Sequence, residues 1–230
     1  LDHDPASPSL LAPAHVRDAF DRLAAAGPPL TDTPLGTPQL GVKCGLNDAF
    51  VVRAPSTPDA PIATVHSARR TARIERTLLR PLLRGETITP WHANASEEWI
   101  LWTHDITGAP LRNLPPLAHS WLLPWRTRLG RRADAHSRTP WWTLFRTASA
   151  RTDRYRVVWA DLGRNPPALV LPAGDSTVAL NTCYVLPCAN ATDAHAVATL
   201  LNSPLIAAWL RLIAEPARGA IGKAEELQLV

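Results

Sequence analysis

The sequence predicts an α+β fold in which small mixed or antiparallel sheets pack against helices. Short runs rich in Val, Leu and aromatic residues read as strands, at 99–102, 155–159, 168–171 and 178–186. Longer stretches carry apolar residues three and four apart and read as helices, but they do not alternate with the strands as a parallel βαβ sheet would require. The 23 prolines among 230 residues are spread throughout, so the elements are expected to be short and their turns well defined.

The elements follow in order. Residues up to about Pro8 form a lead-in, and 13–26 reads as a helix with Pro13 in its first turn, Val16, Phe20 and Leu23 on one face and Gly27 as the stop. Gly27-Pro28-Pro29 forces a loop, which divides an N-terminal segment, 1–33, from the remainder, 34–230. The next stretch, Gly41-Val42-Lys43-Cys44-Gly45-Leu46-Asn47-Asp48-Ala49-Phe50, reads as strand, tight polar turn and strand. Leu40, Val42 and Cys44 alternate on the way in, 49–52 is apolar on the way out, and Gly45 and Asn47 tolerate positive φ. Residues 71–84 read as a second helix, striped by Ile74, Leu78 and Leu82, kinked or ended by Pro81 and closed by Gly85. The stretch 117–132 is mixed, apolar at Trp121, Leu122 and Leu129 and basic at Arg126, Arg128, Arg131 and Arg132. Two helices close the pattern, 193–201 and 204–214, divided at Asn202-Ser203-Pro204, where Ser203 can cap and Pro204 takes the first helical position.

Composition narrows the function. The chain starts at Leu1 and has no Met, as expected of a piece of a longer polypeptide. The strongly apolar stretch 205–213 is interrupted by Arg211, so no membrane span is expected. Cys44, Cys183 and Cys188 are odd in number and lack C-x-x-C spacing, which argues against a disulfide scaffold and a zinc ribbon and for an intracellular, cytoplasmic protein. The net charge of +4 conceals an asymmetry: 112–164 holds eleven arginines and three acids, a local +8. Such clustering points to an anionic partner, nucleic acid first. The basic residues are interleaved with large aromatics, as in Pro124-Trp125-Arg126-Thr127-Arg128 and Arg138-Thr139-Pro140-Trp141-Trp142-Thr143-Leu144-Phe145-Arg146. The tryptophans are expected mainly to pack, and some arginines to line a DNA surface.

Catalytic patterns are incomplete. Asn165-Pro166-Pro167 resembles the (N/D)-P-P-(Y/F/W) motif of amino-methyltransferases, but Ala168 stands where an aromatic would stack on the flipped base, and no glycine-rich cofactor turn precedes it. It reads as a turn. Neither Lys43 nor Lys223 follows an acid by two residues, as a metal-dependent nuclease core requires, and the eight histidines show no metal-ligand spacing. The chain by itself is expected to catalyse nothing.

The segment 41–50 resembles the G-(V/I)-K-T-G-x-N-x-x-F signature opening the TaqI-like C-terminal specificity domain of N6-adenine DNA methyltransferases, found in type II and fused restriction-modification enzymes. Further pieces follow in the order of that family. They are Leu82-Leu83-Arg84-Gly85 through Trp91, Trp99-Ile100-Leu101-Trp102, Leu129-Gly130-Arg131-Arg132, Trp141-Trp142-Thr143-Leu144, Arg156-Val157-Val158, Asn181-Thr182-Cys183-Tyr184, Leu200-Leu201-Asn202-Ser203-Pro204-Leu205 and the Ala217-Arg218-Gly219 turn. Cys44 stands where the family has Thr, and Arg156 where it has Lys. The resemblance implies that 34–230 is a target-recognition domain of a bacterial or archaeal methyltransferase. Such a domain binds double-stranded DNA and places an adenine before a catalytic domain elsewhere in the parent chain. S-adenosylmethionine is then a cofactor of that parent, which can also carry a nuclease, and not of this segment. Lys43 and Asn47 are the expected DNA contacts at the opening turn; Arg126, Arg128, Arg131, Arg132, Arg138, Arg146 and Arg151 form the expected basic face, with Arg218 and Lys223 as a second contact. The alternative is a non-catalytic protein-interaction or subunit-docking module whose basic face meets an acidic partner. A self-sufficient methyltransferase is a third reading.

Overall fold

The computed structural model describes residues 13–55, 60–68, 70–134, 139–163 and 166–213, with the backbone of 215–216 and 227–228. Its architecture is α+β, as expected, and is built on two sheets. The larger is assembled from β2 (Val51–Arg53), β3 (Ile62–His66), β4 (Thr71–Glu75), β5 (Leu79–Leu83), β8 (Glu98–Leu101) and β11 (Val178–Ala179), in the order β11-β5-β8-β2-β3-β4. Only the β11–β5 pairing is parallel. The smaller sheet is antiparallel, ordered β1 (Gln39–Leu40), β12 (Cys183–Cys188), β9 (Tyr155–Ala160), β10 (Ala168–Leu171). A two-stranded hairpin, β6 (Ile88–Thr89) and β7 (His92–Ala93), lies beside β10, where the Trp91 N–H donates to the Ala168 carbonyl.

The helix expected over 13–26 forms as α1 (Ala14–Ala24). Three expectations are corrected. The strand expected over 178–186 is two strands, β11 and β12, in different sheets. Residues 71–84 are not a helix but β4, one 3₁₀ turn and β5. The stripe Ile74, Leu78, Leu82 fits a helix, yet β4 pairs along its whole length with β3, and β5 pairs with β8 and β11. Pro81 is tolerated because β11 reaches only Leu82 and Leu83, leaving Pro81 a ladder neighbour on one side alone. The opening segment is likewise no hairpin. β1 joins the small sheet and β2 the large one, and Asn47–Phe50 between them is one helical turn, α2. Phe50, expected on the outgoing strand, is instead fully buried at the end of this turn.

One crossing holds the sheets together. After β11, the chain turns at 180–182 and enters β12, so a single segment serves both sheets. The incoming 41–42 backbone runs against this turn: Gly41 N–H donates to the Cys183 carbonyl and Val42 N–H to that of Ala179. A side chain at Gly41 would place its Cβ 2.1 Å from the Leu180 oxygen, and one at Gly85 would lie 2.3 Å from the Thr182 oxygen. Both glycines are required by close approach of backbones, from two sides of one turn.

The large-sheet core buries Phe50, Ile74, Ile100, Leu101 and the helical residues Trp121, Leu122 and Leu129. These last come from α3 (Pro116–Leu122) and α4 (Arg126–Gly130), joined by a 3₁₀ turn. Helix α3 is docked by the Glu75 carboxylate, which accepts the Leu117 and Ala118 N–H groups at 2.9 Å each and so satisfies two donors of its first turn. Helix α5 (Ala191–Leu201), capped by the Asn190 side chain, covers the other face of the small sheet. In the following turn Asn202 exchanges two hydrogen bonds with the Ala168 backbone, sealing the outer edge of β10. Helix α6 (Pro204–Ile213) starts as expected, with the Ser203 hydroxyl accepting the Ile206 N–H. No helix among the described residues is long and apolar enough to cross a membrane.

Candidate nucleic-acid interface

Local backbone chemistry shapes the opening turn. Gly45 adopts φ +68, the left-handed region that glycine enters without a Cβ penalty. Before it, Lys43 exchanges two backbone hydrogen bonds with Phe145, tying the turn to the aromatic segment. The Lys43 ammonium lies 2.5 Å from Asp134, both side chains being partly exposed. That hydrogen bond, with the Lys43, Arg146 and Arg132 charges, holds the Asp134 carboxyl below its ordinary range. The Cys44 side chain is fully buried, and burial pushes its thiol up to about 12, so it remains protonated. Asn47 stands exposed on α2.

Arg132 holds this turn from beneath. Its Nη1 donates to the Cys44 carbonyl at 2.6 Å, Nη2 to those of Trp141 and Thr143 at 2.9 and 2.8 Å, and Nε to that of Leu129 at 2.9 Å. The guanidinium also lies 4.8 Å from the Phe145 ring centroid and 5.6 Å from that of Phe50. Four carbonyls from three segments therefore converge on one cation. The side chain faces inward and fixes the end of α4 against the turn.

The other expected basic residues divide. Arg126, Arg128 and Arg131 are exposed along α4 and its C-terminal cap, and their guanidinium groups have no hydrogen-bond or ion-pair partner among the described residues. Arg146 is exposed at φ +58 and borders, with Lys43 and Asp134, a shallow cleft of about 310 Å³. Arg151 is exposed but engaged in a two-point pair with Asp153, at 3.1 and 2.7 Å. Arg138, Arg218 and Lys223 lie outside the described residues, as does Asn165 of the Asn-Pro-Pro sequence.

Most tryptophans pack, as expected: Trp102, Trp121, Trp125 and Trp159 are buried, and Trp141 and Trp142 pack against the large-sheet core, whereas Trp91 is exposed. Several carry arginines on their faces, with Arg76 4.5 Å from the Trp99 centroid and Arg80 4.3 Å from that of Trp102. Arg156, which the family pattern has as Lys, is a buried clasp. Together with Arg80 it binds the 175–177 loop, Arg156 donating to the Asp175 and Thr177 carbonyls and Arg80 to that of Ser176.

A larger cleft, about 470 Å³, lies beside α2 and is lined by residues that include Asn47, Asp48, Arg53, His66, Arg84, Glu98 and Trp125. Of these, sequence reading singled out Asn47 alone as a site residue. The signal for Arg53 and His66 was a polar residue closing an apolar strand, in Val51-Val52-Arg53 and Val65-His66, which by itself does not distinguish a site from an exposed strand end. Among the described residues no group of three or more His, Cys, Asp and Glu side chains is placed to hold a metal ion.

No protein-family model and no curated protein matches this chain. Among solved structures, it is similar to part of the type IIL restriction-modification enzyme MmeI in complex with DNA, with a TM-score of 0.46 and 14% identity. The match covers 79% of this chain and 23% of that one, so the chain spans less than a quarter of that enzyme.

Proposed function

We propose that this chain is a sequence-specific recognition module for double-stranded DNA, serving an adenine-N6 methyltransferase of a restriction-modification or related defence system. The observation that carries this is the cluster of arginines on α4 and its C-terminal cap, exposed and without a partner among the described residues, held against the Lys43–Asn47 turn by Arg132. Unpaired guanidinium groups on a firmly braced helix can neutralise phosphates without first breaking internal ion pairs. The ordered motifs from Gly41 to Gly219 support the same reading from the sequence side. Lys43, after exchanging Asp134 for phosphate, and Arg146 extend the cationic surface. Arg132 positions the surface from within. Catalysis and S-adenosylmethionine belong to a linked methyltransferase domain of the parent.

The test is binding to a duplex across a range of salt. Replacing Arg126, Arg128 and Arg131 together with Ala is expected to weaken binding to every duplex and to reduce the magnitude of the log K against log salt slope by about 2.7, from about 0.9 per phosphate contact. An unchanged slope overturns the assignment. Calorimetry with S-adenosylmethionine is expected to show no uptake by this chain; uptake would favour a self-sufficient methyltransferase.

A further inference from the structure

The 470 Å³ cleft beside α2 has a chemistry unlike that of the α4 arm. Its floor holds Arg53, His66 and Glu98, part of a polar row that runs across four strands of the large sheet. Thr71 of β4 pairs with His66 of β3, His66 with Arg53 of β2, and Arg53 with Glu98 of β8. Residues directly opposite in antiparallel ladders stand on one face, so an Arg53–Glu98 ion pair would be the ordinary outcome. It does not form. Arg84, at the end of β5, captures Glu98 instead, Nε to Oε2 at 2.6 Å and Nη2 to Oε1 at 3.4 Å. Arg53 is left exposed, with no hydrogen-bond or ion-pair partner among the described residues. His66 is oriented by a 3.0 Å hydrogen bond between its Nδ1 and the Thr71 hydroxyl, leaving Nε2 for another partner. Across the cleft, α2 contributes the exposed side chains of Asn47 and Asp48.

We infer that this cleft reads base edges, with Arg53, Asp48, Asn47 and His66 as determinants of sequence choice; the inference rests on the DNA-binding reading above. Phosphate contact needs only positive charge, as α4 supplies. Base recognition needs donors and acceptors at fixed positions, and this cleft has both. The free Arg53 guanidinium can donate two parallel hydrogen bonds to the O6 and N7 acceptors of a guanine, while the Asp48 carboxylate accepts from an exocyclic amine. Trp125 lines the same cleft and directly precedes Arg126, so the reading surface and the phosphate arm adjoin. The Arg84–Glu98 pair works by subtraction: it removes the acid that would otherwise neutralise Arg53.

The experiment selects binders for the full chain from a pool of randomised duplexes, then measures affinity for the enriched duplex and for a scrambled one. Arg53→Ala and Arg53→Lys are each expected to lower affinity for the enriched duplex about tenfold to a hundredfold, from the discrimination carried by one bidentate contact. Affinity for the scrambled duplex is expected to fall no more than about threefold, as for loss of at most one phosphate contact. Asp48→Asn is expected to change the base enriched at one position. The α4 triple variant should instead weaken both duplexes alike. Arg53 is exposed, so unchanged thermal melting accompanies each Arg53 variant. If the wild type enriches a sequence and both Arg53 variants enrich the same one with unchanged preference, this inference falls while DNA recognition stands. If the wild type binds no duplex, or binds without preference, the functional reading falls and this inference with it.

Discussion

At the scale of single residues, the two glycines of the opening turn do different work, and their substitutions separate it. A Cβ at Gly41 meets the Leu180 backbone oxygen at 2.1 Å, and neither sheet can withdraw from that contact. Gly41→Ala is expected to cost about 3 kcal/mol or more. At Gly45 the φ of +68 alone costs an alanine about 1–2 kcal/mol. Its Cβ would also displace the Arg132 Cδ, 2.8 Å away, on a side chain that shifts more readily than the Leu180 backbone although four carbonyls hold its end. Gly45→Ala is expected to cost about 2 kcal/mol, less than Gly41→Ala. Urea midpoints with an unchanged m-value would rank the two; equal losses would contradict this account. His104 gives a pH signature. It is buried against Trp102, 5.4 Å between ring centroids, and burial lowers its pKa from 6.5 to about 4. The unfolded chain therefore takes up this proton first. The stability contributed by neutral His104 is complete above pH 6.5 and is lost as pH falls toward 4, on the order of 3 kcal/mol in total. Unfolding of His104→Asn, compared with wild type between pH 7 and 4, should show the shallower dependence in the variant.

At the scale of elements, Arg132 joins α4, the opening turn and the aromatic segment. Arg132→Ala strands several carbonyls and is expected to cost on the order of 3 kcal/mol, while Arg128→Ala should leave the melting temperature nearly unchanged. Both should weaken duplex binding, one by loosening the helix and the other by removing a contact. Sequence reading could not separate these two arginines, because clustering counts charges and is blind to the carbonyls that wait for them. The same limit explains the misread stretch 71–84. Ile74, Leu78 and Leu82 satisfy a helical stripe, but Leu79 and Leu83 are buried as well, on a strand that packs toward both sheet cores. Strands 99–102 and 155–159 were legible as runs rich in β-branched and aromatic residues, and 168–171 as a short apolar run after Pro166-Pro167 and before Pro172. The Arg53–His66 row was not, since it exists only once β2, β3 and β8 lie side by side.

At the scale of the molecule, the two sheets are expected to melt together. They share the 178–188 segment, and 41–42 threads back along it, so one sheet cannot open without stripping the other of hydrogen bonds. Calorimetry should give a single transition whose van't Hoff and calorimetric enthalpies agree; two resolved transitions would show that the crossing does not couple the sheets.

That crossing also sets an order of events on the ribosome. Strand β1 precedes every strand of the large sheet, but its partner β12 follows all of them, and Gly41 docks only on the turn that immediately precedes β12. The nascent large sheet can gather β2, β3, β4, β5 and β8 while the Gly41 and Val42 backbone donors still wait for the carbonyls of Cys183 and Ala179. Closure of the turn becomes a late, non-local step, slowed by the loop that must first be drawn together. The basic arm on α4 is thus synthesised before the turn it adjoins is complete, and on the DNA-binding reading proposed above the assembled surface must await the emergence of β12.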